Sequence, residues 1–577
     1  MAARNGAAHV VTTTRKYKGR EYRTHLLRRS YREDGKVKNE TLGNLSHLPE
    51  PTIDLIRRSL KGEQFVPAND AFQILGSRAH GHVQVVQRVM QRLDFASLIG
   101  SKACEERDSV LAMVAARILQ PGSKLATTRW WHCTTLAEEF NVSEANEDDL
   151  YQAMDWLLAR QNRIERKLAA RHLKQGALAL YDLSSSYFEG STCPLAALGY
   201  SRDNKRGKLQ VNYGLLTDVR GCPIAISVHE GNTADSVTFA PMVEHLRKDF
   251  KLEQLVMVGD RGMISHKAIK TLQQLPGVDW ISALKHISIR SLMNKGHLQI
   301  DLFDDTALFE LSSPDYPNER LIACRNEALA RRRAHKRESL LCATESKLEE
   351  IQARVRAGKL TSADKIGVRV GKVVNKYKVA KHMELTIEDN AFTFRRHQKS
   401  IEAEATLDGV YIIRTSVAPE QMDSAECVRS YKALTRVEQA FRSIKAIDLK
   451  VRPIHHRLED RVRAHLLLCM LAYYVEWHIR DAWRELTFTD TEQAAKATRD
   501  PVAPARRSAS ATRKAVTRTL DDGTPTHSVS TLMSVMATIT RNTCRSPHDP
   551  ELHVFNVDTV PTAKQRRALE LIETIEL

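Results

Sequence analysis

Between about residues 70 and 175, apolar residues recur three and four apart through VVQRVMQRL, SVLAMVAARIL and DDLYQAMDWLLARQNRIERKLAARHL. That is the spacing of one helix face, and it predicts a helical bundle over 66–175. Asp148 and Asp149 precede the last run, as negative charge does at a helix N-terminus. From 176 the period changes. GALALYDLSSSYF holds a short apolar run that ends at Asp182, and LEQLVMVGDRGM holds another that ends at Asp260. KLQVNYGLLTDVRGCPIAISVHEG reads as a hairpin turning at TDVRG, ADSVTFAPMVEHLRKDF as a helix and VDWISALK as a further strand. Strands alternating with a helix predict an α/β fold with a mixed sheet, whose first part spans 176–290.

The remaining segments follow from the same patterning. Residues 1–65 form a basic N-terminal β unit, two strands around the turn signal EDGK. Lys and Arg outnumber Asp and Glu two to one in residues 1–63, which suits either DNA contact or a solvated hairpin. Residues 291–425 read as a β-rich insertion with a basic helix, RNEALARRRAHKRESLLCATESKLEEIQARV, followed by strand-like GVRVGKVVNKYKVAKHMELTI, FTFRRHQKSI and DGVYIIRTS. Two long helices occupy 426–490. The Ala-, Arg-, Ser-, Thr- and Pro-rich stretch 491–530 reads as a flexible linker, and 531–577 as a C-terminal helical tail.

Composition narrows the function. At 577 residues the chain is too long for one core. A net charge of +17 and a pI near 9.4 make a polyanionic partner plausible, with a merely basic soluble protein as the even alternative. No apolar run approaches the roughly 20 residues of a membrane span, and the start lacks a secretory pattern. Nine cysteines without a CxxC pair argue against a structural zinc site and a disulfide framework, and fit a reducing cytoplasm. No P-loop is present, which argues against nucleotide-driven phosphate chemistry.

The polar residues of 430–457, SYKALTRVEQAFRSIKAIDLKVRPIHHR, set the chemistry. Tyr431, Glu438 and Lys445 fall seven apart, so on a regular helix they share one face over about 21 Å. Leu434, Phe441 and Ile444 flank that line, which turns the carboxylate inward. An ionised Glu there needs a partner or a metal. Asp182 and Asp260, each read as ending a buried strand, emerge at the sheet edge where ligands bind; each taken alone reads more readily as a turn cap, the commonest use of Asp after a strand. Three carboxylates suit two hard cations, Mg²⁺ or Mn²⁺. Such a pair serves phosphodiester displacement.

YDLSSSYFEG, VMVGDRGMIS and the signature Y-x2-R-x3-E-x6-K, on Tyr431, Glu438 and Lys445, together resemble the DDE transposases of bacterial insertion sequences. The similarity is to the insertion-sequence-four superfamily, in its sixteen-thirty-four-type branch. RILQPGSKLATTRWW, NEDDLYQAMDWL and KVRPIHHRLEDRVRAHLLLCMLAYY extend it over most of the chain. The resemblance implies a ribonuclease H-like catalytic core interrupted by a β-rich insertion. It also implies metal-dependent cleavage at element ends, strand transfer into target DNA, and a homodimer on the DNA. Asp182, Asp260 and Glu438 then hold the metals, Lys445 meets a phosphate and Tyr431 lies near the scissile strand. One departure stands out: the signature arginine is Leu434 here, and Arg436 points about 200° away.

Further DNA contacts are expected from Lys205 and Arg206 in SRDNKRGKLQ, and from Arg331, Arg332, Arg333, Lys336 and Arg337 on the basic helix. A solvated face is the bland alternative for each. His455 and His456 lack a partner at ligand spacing, while His465, Trp130 and Trp131 read as core. The expected place of action is the bacterial cytoplasm, at the nucleoid when DNA is bound. A structure-selective nuclease of the same fold, or an inactive DNA-binding relative, are the alternative readings.

Overall fold

A computed structural model describes residues 6–63, 65, 67, 71–547 and 553–576. They fall into two compact units, one of 1–77 with 541–558 and one of 78–540 with 559–577. The boundary expected at 65–66 falls at residues 64, 66 and 68–70, which lie outside the described residues.

In the first unit, strands β1 (Ala8–Tyr17), β2 (Arg20–Glu33) and β3 (Lys36–Asn44) form an antiparallel meander. Both turns place their two central residues at positive φ: Lys18 and Gly19 at 48° and 73°, Asp34 and Gly35 at 53° and 73°. Two-residue turns of that hand match strand twist, and EDGK supplies the Asp-Gly they favour. A helix, Glu50–Leu60, follows. A second three-stranded sheet joins β4 (Gln73–Ala79) to β15 (Thr540–Arg545) and β16 (Val554–Asp558). The expected helical tail therefore carries two strands; only its helices Val529–Met536 and Ala563–Glu573 match the helical pattern.

The second unit is built on an eight-stranded sheet in the order β10-β11-β14-β9-β8-β5-β6-β7. Its strands are β5 (Ala177–Tyr187), β6 (Gln210–Asp218), β7 (Pro223–Glu230), β8 (Leu255–Val258), β9 (Val278–Ala283), β10 (Leu308–Leu311), β11 (Arg320–Arg325) and β14 (Val410–Thr415). β5, β6 and β7 form an antiparallel meander, while β5, β8 and β9 run parallel. The helical bundle is no separate body. Helix Glu459–Ala482 packs against β7 on one side and against helices Glu105–Leu119 and Glu147–Leu158 on the other. Its residues from Ala464 to Ile479 are buried without a break. An all-round apolar helix of this kind belongs in an interior, so bundle and sheet share one core. Asn146, rather than Asp148, caps Glu147–Leu158: its side chain accepts from the N–H groups of Asp148 and Asp149, and Asp149 accepts in return from Asn146 N–H.

The insertion differs from its reading. β10, β11 and β14 extend the main sheet, and the remainder is mostly helical: Glu327–Arg356 and Ala363–Tyr377, with a two-stranded sheet of β12 (Met383–Glu388) and β13 (Ala391–Arg396). GVRVGKVVNKY, expected as strand, is helix because Ile366, Val370 and Val374 repeat every four residues and bury one stripe against Leu348, Ile351 and Val355. Tertiary burial outweighs the β preference of valine. The supposed linker 491–530 is tied down as well. It contains helices Gln493–Ala497 and Ala509–Thr517, buries Val502, and sinks Lys514, whose ammonium donates to the carbonyls of Arg484 at 2.8 Å and Thr487 at 3.0 Å. Loop-like composition does not prevent order when backbone carbonyls find such a donor.

Candidate active site

Asp182 is not at a strand end. β5 continues five residues beyond it, paired with β6 out to Tyr187↔Gln210. Its parallel neighbour is what stops: the last β5–β8 pair is Leu180↔Val258. The sheet opens beside Asp182, and the chain leaving β8 brings in Asp260. Asp260 Oδ1 accepts from the N–H groups of Gly262 and Met263, both at 2.8 Å. A Cβ at Gly262 would stand 3.2 Å from that oxygen, so the glycine permits the turn to close on its own carboxylate.

The helix expected to carry the seven-residue series is broken. Ser424–Lys432 and Leu434–Arg442 meet at Ala433, and a π-helical turn, Ser443–Ile447, follows. Val437, Ala440 and Phe441 take the buried face, which leaves Glu438 exposed on the cavity wall rather than turned into the core. The wider turn swings Lys445 inward. Its ammonium lies 2.6 Å from Asp203 and donates to Ser184 at 3.2 Å, and burial lowers its pKa against the pull of Asp203.

Asp182, Asp260 and Glu438 line one cavity of about 400 Å³ with Ser184, Arg202, Asp203, Asp235, Arg442, Lys445 and Arg452. The five acids there divide into two sets. Asp203, only 1% exposed, is held by Lys445 and Arg452, and Asp235 by Arg202 at 2.5 Å. Asp182, Asp260 and Glu438 make no ion pair among the described residues. Burial, helped by Asp260 and Glu438 and opposed by the Leu183 N–H and Arg202, pushes the Asp182 carboxyl up to about 7. Clustered carboxylates that repel one another and lack a cation offer the oxygen-rich site a hard divalent ion takes.

The other expected residues scatter. Tyr431 is half-buried beside the cavity without lining it, and its phenol is pushed up to about 12 by burial first, then by Asp260. Lys205 lies over the Tyr187 ring at 5.9 Å, and Arg206 lines a separate groove with Lys372, Lys376 and Lys378. Arg331 and Arg332 are exposed, Arg331 3.8 Å from Glu327. Arg333 and Arg337 are not available to track phosphates: Arg333 donates to the carbonyls of Leu407 and Val410, and Arg337 forks onto Asp408. Leu434 packs against the main core. Arg436 donates to the Val219 carbonyl and lines a different cavity. Arg202, Asp203, Asp235, Arg442 and Arg452 went unpredicted, since nothing in their local spacing marks them. SRDNKRGKLQ drew attention to Lys205 and Arg206, while its Arg202 and Asp203 are the residues that reach the cavity.

Two family models match this chain. Residues 189–475 match the transposase DDE domain, a stretch that begins just past Asp182 and includes Asp260 and Glu438. Residues 10–69 match the N-terminal domain of IS1634 family transposases. Together these segments cover more than half of the sequence, and they identify a DDE transposase. Within that class the chain belongs to the IS1634 family. Such transposase domains generally use divalent metals. No curated protein matches the chain. It is also similar to a cryo-EM structure of the piggyBac transposase synaptic complex with hairpin DNA, at 9% identity over 79% of this chain and 77% of that one, with a TM-score of 0.34. At that score the similarity carries no weight for fold or chemistry. No helix among the described residues is long and apolar enough to cross a membrane.

Proposed function

We propose that this transposase cleaves the ends of its own insertion sequence and joins them to target DNA, with Asp182, Asp260 and Glu438 as the metal-holding catalytic residues. The observation that carries this reading is the division among the cavity's acids: two have cationic partners, and these three, from distant parts of the chain, have none. The strand order 7-6-5-8-9, antiparallel then parallel, supports a ribonuclease H-like core.

The three carboxylates fit two Mg²⁺ or Mn²⁺ ions, which when bound supply an activated oxygen nucleophile and charge compensation at the leaving oxygen. The chain's own residues do the rest. Ser184 and Asp203 fix the Lys445 ammonium beside the carboxylates, where it presents a point charge to a phosphate. Arg442, exposed one turn beyond Glu438, offers the bidentate phosphate contact that Leu434 cannot. Tyr431 hydrogen-bonds or stacks near the scissile strand, and Lys205, Arg206, Arg331 and Arg332 hold flanking DNA. Hydrolysis frees a 3′ hydroxyl at the element end, and that hydroxyl attacks a target phosphodiester. The DNA partners are the terminal inverted repeats and the target; pairing two ends calls for a homodimer on DNA, acting in the bacterial cytoplasm.

The test uses the full chain, labelled DNA carrying the inverted repeats that flank its gene, and a target plasmid. Mg²⁺-dependent cleavage followed by joining is expected, with both lost in EDTA. Cleavage without joining would favour a structure-selective nuclease, and binding without cleavage an inactive relative.

A further inference from the structure

Away from the carboxylate cavity, three segments bring nitrogen and sulfur donors together. His172 ends helix Gln161–His172, Cys222 closes the turn between β6 and β7, and His478 lies on helix Glu459–Ala482. One ligand atom from each falls within 4.8 Å of the others. Cys222 Sγ stands 3.9 Å from His172 Nε2 and 4.0 Å from His478 Nε2. Cys222 is fully buried and His478 nearly so. The turn is built to hold the sulfur: Asp218 Oδ1 accepts from the N–H groups of Arg220 at 2.8 Å and Cys222 at 2.9 Å.

We propose that His172, Cys222 and His478 form a zinc site that ties the helical bundle and helix Glu459–Ala482 to the β6–β7 turn. Zinc takes thiolate at about 2.3 Å and imidazole at about 2.0–2.1 Å, so sulfur and nitrogen around a tetrahedral ion stand about 3.6 Å apart. The two sulfur–nitrogen separations need to close by about 0.4 Å, and the imidazole nitrogens, within 4.8 Å of each other, must come to about 3.3 Å. Without an ion the trio is poorly matched, because one S–H proton cannot serve two imidazoles at once. Zinc ligates imidazole in its neutral form and sulfur as thiolate. A mixed sulfur and nitrogen set selects zinc over the hard cations of the carboxylate cavity.

Loading has definite proton consequences. His172 Nδ1 lies 3.2 Å from Arg220 Nη2 and accepts from it, while Nε2 meets the Tyr474 hydroxyl at 3.1 Å. Ligation through Nε2 moves the ring proton to Nδ1, and Arg220 falls back on Asp218, which its Nε already holds at 2.8 Å. Cys222 loses its proton to solvent. The Arg171 and Arg220 guanidiniums oppose the ion, and Asp218 offsets them. The site does not depend on the proposed DNA chemistry.

The experiment is a Co²⁺ titration of the metal-stripped full chain, with Mg²⁺ in excess to cover the carboxylates. A thiolate-to-cobalt charge-transfer band is expected, with visible tetrahedral bands, saturating at one ion per chain and displaced by Zn²⁺. Cys222→Ser loses the charge-transfer band, His478→Gln weakens binding at least tenfold, and Zn²⁺ raises the melting temperature of the wild type but not of Cys222→Ser. Absence of the thiolate band in the wild type overturns the proposal, whether or not the variants fold. So does its persistence in folded Cys222→Ser, since eight other cysteines are present.

Discussion

The carboxylate cavity and the His172–Cys222–His478 cluster lie on the same sheet, yet they are built on opposite lines. The first is open, lined by oxygen donors and rimmed by arginines, with Glu438 exposed on its wall. The second is closed, made of nitrogen and sulfur, and set where helix, turn and helix meet. The difference teaches how donor chemistry and access would let one chain sort metals between its two proposed sites. A site that must admit a DNA strand keeps charged oxygens near water and accepts their mutual repulsion. A site that only braces the fold can bury neutral imidazoles and a thiol.

The largest expected effect separates the two sites outright. Asp182→Asn or Asp260→Asn should lower DNA cleavage by about a thousandfold or more, since each removes a proposed metal ligand expected to supply several kcal/mol of transition-state stabilisation. The Co²⁺–thiolate band should survive unchanged, and its loss in either variant would blur the comparison. Next comes Lys445→Met. The Lys445 and Asp203 side chains are 10% and 1% exposed, so losing the charge-assisted bonds of Lys445 should cost about 2 kcal/mol in urea unfolding. Cleavage should fall with it, while Arg452 still holds Asp203.

Gly262→Ala sharpens the view of the cavity alone. With its Cβ 3.2 Å from Asp260 Oδ1, it should weaken Mn²⁺ binding about tenfold, as changes beside a ligand do, with little change in melting temperature. A further effect is on pH. The Asp182 carboxyl lies near 7 against 3.8 for an ordinary one. Between those values the metal-free folded chain keeps a proton that the unfolded chain has released, so stability falls as pH rises through that window. Asp182→Asn should flatten the slope. Mn²⁺ affinity, which needs the ionised carboxylate, should increase as pH rises through 7.

Legibility in the sequence follows the same divide. Asp182, Asp260 and Glu438 stood out because each sits in a distinctive local string, and the cavity gathers all three. Their surroundings were harder to read. Asp203, Arg452 and Arg202 act through contacts across hundreds of residues or across a loop, and no spacing encodes that. The seven-residue series was read on a straight helix, whereas the break at Ala433 and the π-helical turn at Ser443–Ile447 send Glu438 to the wall and Lys445 inward. The same limit hid the second cluster: lack of a CxxC pair argued against zinc, but His172, Cys222 and His478 come from three separate elements. Strand and helix were confused where valines repeat every four residues, at Ile366–Val370–Val374. The stretch 491–530 reads as a linker from composition alone, because composition says nothing of where Lys514 finds its carbonyls.

The most direct measurement is Mg²⁺-dependent cleavage of an element-end DNA by Glu438→Gln, which keeps size and hydrogen bonding while removing one charge. The expected result is a folded protein that binds the DNA and cuts it at least about a hundredfold more slowly than the wild type. Cutting at the wild-type rate would contradict the joint role of the three carboxylates.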